Sequence, residues 1–167
     1  RRWRRALRTL VQRSPTHAQL AHADHHSDRA LAALAQRRAA GGRLVGIASL
    51  AGIRGLPGAE AYSASKAAAI SYLESLRLEL RGSGVKVVTL CPGYIRTPMT
   101  ESNPFPMPFL IPADLAARRF ARVIADGRSY AVVPWQMALV GKLLRLLPNA
   151  LYDRLFAGVP RKPRGVS

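Results

Sequence analysis

A serine, a tyrosine and a lysine carry the chemistry that this sequence is best placed to perform. Tyr62 and Lys66 stand four residues apart in a stretch free of Gly and Pro, so on a helix they share one face. Ser49 precedes the tyrosine by thirteen residues and directly follows the short apolar run Arg43-Leu44-Val45-Gly46-Ile47-Ala48. A phenol is a poor base near neutrality, and burial alone favours its protonated form. A nearby cation does the reverse, since one charge pair at about 4 Å is worth about 4 kcal/mol at an effective dielectric near 20. Lys66 is spaced to supply that charge, which makes the phenol a useful proton donor and acceptor. Ser49 would then hold the reacting oxygen by a hydrogen bond.

Positioning these groups requires strands that end together and a helix that returns over them. Residues 43–48 read as a buried parallel strand, and a Gly/Pro-rich loop from Gly52 to Gly58 follows. From about Ala59 to Arg81, Ile70, Leu73, Leu76, Leu78 and Leu80 recur at helical spacings, and Gly82-Ser83-Gly84 stops the helix. Val85 to Cys91 reads as a second buried strand ended by Pro92-Gly93. A long loop with Pro98, Pro104, Pro106, Pro108 and Pro112 is a candidate lid. A helix over about 113–126, a strand over 129–133, a helix over 135–147 and a short helical piece complete the order. This β-α-β-α-β alternation predicts an α/β fold, a partial Rossmann-like doubly wound parallel sheet. Ligands collect at the carboxyl ends of such strands, where Ser49 and Pro92-Gly93 fall.

Taken together, Ser49, Tyr62-Ser63-Ala64-Ser65-Lys66 and Pro92-Gly93-Tyr94-Ile95-Arg96-Thr97 resemble the signature of the short-chain dehydrogenase/reductase family, from about Gly42 to at least Pro134. The resemblance implies an NAD- or NADP-dependent oxidoreductase in which Ser49, Tyr62 and Lys66 are catalytic. It also implies that Tyr62 and Lys66 bind the nicotinamide ribose, and that Pro92, Gly93, Ile95 and Thr97 contact the nicotinamide end. Two family features have no counterpart. No glycine occurs before residue 41, so the Gly-rich pyrophosphate turn is absent from that stretch, and the only asparagines are Asn103 and Asn149.

Composition sets further bounds. The chain has 167 residues, 49% of them hydrophobic, which suits a single domain. Residues 1–40 break from the rest: they are rich in Arg, Ala and His and lack Gly and Lys, and the chain begins with Arg. They read as an atypical segment, partly helical from Ser27-Asp28 to about Ala40 or disordered, of a fragment or of a start read in a wrong frame. Residues 41–167 form the C-terminal part of the oxidoreductase domain. The basic opening is not followed by the apolar stretch of an export signal, and no run reaches the ~20 apolar residues of a membrane span. With one cysteine, Cys91, no intrachain disulfide can form, which suits a reducing cytoplasmic setting. His17, His22, His25 and His26 lie in a polar stretch without supporting Cys, so a solvated run is expected rather than a metal site.

The net charge of +17 attracts polyanions without specifying one, and no nucleic-acid reading motif accompanies it. The expected substrate is a small carbonyl or alcohol, a lipophilic one given the apolar tail and the Pro/Phe/Met-rich loop. The resemblance implies a homo-oligomer formed through the long helix, which is apolar on more than one face. The helix over 135–147 would pack over the pocket or a partner subunit, with peripheral contact to a membrane as the alternative. Two other functions stay open on sequence alone: a non-catalytic remnant or interaction module of the same family, and a basic adaptor for nucleic acid or anionic lipid.

Overall fold

The computed structural model describes residues 42–101 and 106–158. The Arg/Ala/His-rich segment 1–40, with its expected helix and its four histidines, lies outside them. In chain order the elements are β1 (Arg43–Ile47), a 3₁₀ turn (Leu50–Gly52), α1 (Glu60–Glu79), β2 (Lys86–Pro92), β3 (Ile95–Arg96), α2 (Pro98–Glu101), β4 (Ile111–Pro112), α3 (Ala113–Ala125), β5 (Tyr130–Val133), α4 (Gln136–Leu146) and α5 (Asn149–Phe156). β1, β2 and β5 form a parallel sheet in the order β1-β2-β5.

Period-two alternation sorts the side chains of this sheet between two helical layers. Leu44 of β1 and Val87 of β2 pack with Leu73 and Leu76 of α1 on one face. Val88 and Leu90, the next residues in alternation, pack with Ala131 and with Val123 and Phe120 of α3 on the other. Because β2 is covered on both faces, its central residues are buried without a break, Thr89 included, and Val88, Leu90 and Cys91 are at most 1% exposed. Each such aliphatic side chain contributes about 1.5–3 kcal/mol by leaving water. The sheet is therefore doubly wound, and α1 and α3 are fixed to opposite sides of the strand that separates them.

β1 is covered on one face only. Val45 and Ile47 stand beside Val88 and Leu90 in register, yet they are 38% and 61% exposed, because α3 lies over β2 and β5. Among the described residues the outer edge of β1 also has no strand partner.

The elements read from periodicity appear within one or two residues of their expected bounds. The proline-rich loop is the correction. Rather than irregular chain, it holds β3 and β4, which pair in parallel as Ile95↔Ile111 and Arg96↔Pro112, with the single turn α2 between them. Two-residue strands are too short for alternation to show, and proline at the second position of β4 masks the signal further. Residues 102–105, in the middle of the expected lid, lie outside the described residues.

Contact between α1 and the sheet is close at Gly46, where an added Cβ would stand 2.2 Å from Leu73 Cδ1 in a packed layer. Gly46→Val is expected to destabilise the fold by about 1–3 kcal/mol through overpacking. The urea midpoint checks this, and an unchanged midpoint would contradict the close approach.

Candidate active site

Ser49 leaves β1 in extended conformation (φ −166°, ψ 157°) and caps the 3₁₀ turn, its Oγ accepting a hydrogen bond from the Ala51 backbone N–H at 3.2 Å. Acting as an acceptor leaves the hydroxyl proton available for donation to a ligand oxygen. Tyr62 lies in the first turn of α1 and is 45% exposed, so its phenol can be reached from solvent. Lys66, one turn later, is half-buried; its Nζ lies 5.7 Å from the centre of the Tyr62 ring and donates to the Ile47 carbonyl at 3.3 Å. The amine and the ring therefore lie on one side of α1, and that side meets the carboxyl end of β1.

Close approach of two backbones makes this meeting possible. At Gly52, in the 3₁₀ turn, an added Cβ would lie 2.7 Å from the Lys66 carbonyl carbon and 2.9 Å from the Ala67 nitrogen. Only a residue without a side chain lets the Ser49 turn rest on α1 at the lysine. Two serines between the tyrosine and the lysine make further bonds, one to the loop before α1 and one within the helix. Ser63 is buried and accepts from the Leu56 N–H at 3.3 Å, and Ser65 is buried and donates to the Tyr62 carbonyl at 2.8 Å. Sequence reading named none of these three as site residues, because serine inside a helix and glycine in a loop are ordinary by themselves.

The second group of expected residues lies at the end of β2. Pro92 is the last residue of that strand, and the Gly93 N–H donates to the Val133 carbonyl at 2.8 Å. A Cβ at Gly93 would stand 2.9 Å from Met137 Cγ, so this turn is packed on α4. Ile95 is held in β3, and Thr97 follows it. The unforeseen residue here is Thr100, whose Oγ1 accepts from the Thr97 N–H at 2.8 Å and lies 2.9 Å from the Ile95 carbonyl, fixing the segment from Ile95 to Thr97. β1 and β2 are parallel and in register, and the Ala48 N–H donates to the Leu90 carbonyl, so Ser49 and Gly93 leave the sheet at the same edge.

Beneath this edge sits the fully buried thiol of Cys91. Burial pushes its pKa up, while the Tyr130 hydroxyl, the Ser49 backbone and the Lys66 ammonium pull it down. Partial burial also raises Tyr130, with the Cys91 contact adding to it. A separate cavity of about 660 Å³ lies between α1 and α4, lined by Ile70, Tyr130, Val132, Ala138, Lys142 and Arg145 among others; Ser49, Tyr62 and Lys66 do not line it. Among the described residues no group of three His, Cys, Asp or Glu side chains could hold a metal ion.

A family model described as short chain dehydrogenase matches residues 25–105, starting inside the Arg/Ala/His-rich segment. An uncharacterised oxidoreductase of Myxococcus xanthus is 46% identical over 112 residues, 67% of this chain and 44% of that protein. One from Mycobacterium tuberculosis is 32% identical over 123 residues, 74% of this chain and 49% of its own length. Among solved structures, a short chain dehydrogenase from Burkholderia cenocepacia J2315 in complex with NADP aligns with a TM-score of 0.59 at 28% identity, over 71% of this chain and 48% of that one. The chain thus spans about half the length of the curated relatives it matches.

The raised thiol and phenol have a consequence for stability. Below the ordinary thiol range near pH 8.5 both groups are protonated in folded and unfolded chains alike, and stability is complete. Above it the unfolded chain releases protons that the folded one retains, so stability falls as pH rises. Urea midpoints measured from neutral to alkaline pH are expected to decline, and the Cys91 thiol should react with an aromatic disulfide reagent only on unfolding. A midpoint that climbs with pH, or a fast thiol reaction in the folded protein, would show that the thiol is not sealed beneath the site.

Proposed function

The chain belongs to the short-chain dehydrogenase/reductase family, and on that premise we propose that it forms the reaction half of an NAD- or NADP-dependent oxidoreductase acting on a carbonyl or alcohol. The observation that carries this reading is the joint placement of Lys66 Nζ beside the Tyr62 ring and on the Ile47 carbonyl, at the strand end from which Ser49 departs. The residues present fit one end of the dinucleotide. An exposed phenol, an ammonium and a serine hydroxyl lie at the carboxyl edge of a parallel sheet, with the Gly93 to Thr97 segment leaving the same edge. Tyr62 and Lys66 would hold the nicotinamide ribose, and Pro92, Gly93, Ile95 and Thr97 the nicotinamide end. A bound nicotinamide would supply or take up the hydride.

The chain's own groups handle the proton. Ser49 donates a hydrogen bond to the substrate oxygen and orients it, its oxygen held in place by the Ala51 N–H and its hydroxyl proton free to point at the substrate. The Tyr62 hydroxyl gives its proton to that oxygen during reduction and takes one back during oxidation. Lys66 stabilises the negative charge that this exchange leaves on the phenol. Its bond to Ile47 keeps the ammonium at the strand end while the charge develops. Gly52, Ser63 and Thr100 act through these groups as positioning residues.

The loop before β4 supports a lipophilic substrate. Phe109 is half-exposed with a left-handed backbone (φ 59°), an uncommon conformation for an aromatic residue, in the loop that leads into β4. With Pro108 and Leu110 beside it, this loop favours a lipophilic carbonyl or alcohol. α1 exposes Ala61 and Ala64, small side chains that allow a second helix to approach closely, and this supports homo-oligomerisation through α1. The single buried thiol suits a reducing, cytoplasmic compartment.

In a protein that carries a complete cofactor-binding half, Tyr62→Phe is expected to lower turnover by about 10²–10⁴-fold, the usual contribution of a positioned general acid or base. Binding of NADH or NADPH, followed by fluorescence titration, should survive the change. Turnover that persists in the Phe variant would overturn the acid/base role. Absence of saturable dinucleotide binding in the parent would overturn the oxidoreductase reading and favour an interaction module.

A further inference from the structure

α4 buries one face and leaves the opposite one open in a way that the core does not require. Met137 and Gly141 are buried, Gly141 so closely that an added Cβ would meet Ile53 Cδ1 at 2.8 Å. On the far side Trp135, Leu139, Leu143 and Leu146 are 63%, 59%, 63% and 80% exposed. At 3.6 residues per turn these four positions fall within an arc of about 80°. Leu151 and Leu155 of α5 are also more than half exposed. Exposed apolar residues scattered singly need no explanation, but a continuous stripe of this kind marks a contact surface.

The charges on α4 itself are of one sign, with Glu74 of α1 across the cavity that Lys142 and Arg145 line. Lys142 and Arg145 are exposed along the margin of the stripe, Arg145 with one guanidinium N–H on the Ile53 carbonyl at 3.3 Å and its other N–H groups left for a further acceptor, and α4 contains no acidic residue. From Gly127 to Ser167 the sequence has seven Lys or Arg and one acidic residue, Asp153. The ion pairs found among the described residues, Arg77 with Glu74 and Arg118 with Asp114, are on α1 and α3.

The surface is also rigidly mounted. Arg54 donates to the Leu144 and Leu147 carbonyls at the end of α4 and to Asn149 Oδ1 at 3.0 Å, and its guanidinium stacks on the Tyr152 ring at 3.9 Å. Tyr152 in turn donates to the Gly55 carbonyl. One arginine thus ties the α4–α5 corner to the loop that joins Ser49 to Tyr62.

We propose that the outer face of α4 lies in the headgroup layer of an anionic lipid bilayer, with Trp135, Leu139, Leu143 and Leu146 inserted and Lys142 and Arg145 paired with lipid phosphates. Indole and leucine side chains prefer that boundary, and the two cations can reach the phosphates while their stems lie along apolar surface. With eleven residues, α4 is about 16 Å long and cannot cross a hydrocarbon core of about 30 Å, so it lies in the plane of the interface. None of the described helices is long and apolar enough to span a membrane. A second copy of the chain is a poorer occupant, because a two-fold contact across this stripe sets cations against cations with no carboxylate on α4 to offset them. Strands added at the open edge of β1 are a poorer one too, since β1 and the β5 strand that packs on α4 lie at opposite ends of the sheet.

Trp3 and Trp135 are the tryptophans of the chain, so Trp3→Phe isolates the reporter. Mixed with vesicles of phosphatidylglycerol and phosphatidylcholine in equal parts, this protein should show blue-shifted Trp135 emission that brominated acyl chains quench. Vesicles of phosphatidylcholine alone should bind it more weakly. Replacing Leu139, Leu143 and Leu146 with Ser, all exposed positions that leave the core untouched, should weaken partitioning by about tenfold or more, and K142Q/R145Q should reduce the Trp135 blue shift on the anionic vesicles. Sedimentation with vesicles while Trp135 emission stays unchanged would overturn the proposal, since attachment would then come from other parts of a chain of charge +17. Equal binding by the triple Ser variant would overturn it as well. So would lipid-free dimers, seen by sedimentation velocity, that the Ser variant disperses. None of these readouts depends on turnover, so failure here leaves the oxidoreductase reading standing.

Discussion

The Lys66 ammonium resting on the Ile47 carbonyl joins the helix to the sheet at the point where chemistry would occur. A lysine on a helix surface ordinarily keeps its charge in water on a flexible stem. Here the carbonyl is the last of β1, and the strand beyond it turns away into the 3₁₀ cap of Ser49. That contact ties α1, one turn beyond Tyr62, to the strand end from which Ser49 departs, on a helix already seated by Leu73 and Leu76. It is compatible with the packing only because Gly52 has no side chain to hold the two backbones apart, and because Gly46 lets Leu73 lie directly on the strand below.

The layers on either side of β2 serve the same end. α1 and α3 compress the strand from opposite faces, so its carboxyl end is a fixed platform from which Pro92 and Gly93 depart. Thr100 then holds the chain from Ile95 to Thr97 with a single hydroxyl. Further out, Arg54 gathers the last carbonyls of α4, the start of α5 and the Tyr152 ring around the loop between Ser49 and Tyr62. The loop beside Tyr62 and the helical corner that carries the exposed stripe are therefore joined through one side chain.

Much of this was legible residue by residue. The i, i+4 spacing of Tyr62 and Lys66 and the run Val87-Val88-Thr89-Leu90-Cys91 before Pro92, apolar but for one threonine, state a helix face and a buried parallel strand in their own periodicities. The paired strands β3 and β4 were not legible, since two residues cannot display alternation and Pro112 argues against a strand. Ser63, Ser65, Thr100 and Gly52 gave no signal either, because a hydroxyl or an absent side chain acquires its role from the neighbour it meets.

What the chain by itself determined is the set of local preferences: which segments are helix or strand, where they stop, and which chemical groups each carries at its end. Those follow from short-range sterics and from the period of apolar residues, both of which are written in order along the sequence. Tertiary structure alone decided that the Lys66 amine meets the end of β1, that the Cys91 thiol is sealed beneath the site, and that Leu139, Leu143 and Leu146 face outward rather than into a core. These are properties of pairs of residues far apart in the chain, and no periodicity along one segment can say what stands across from it.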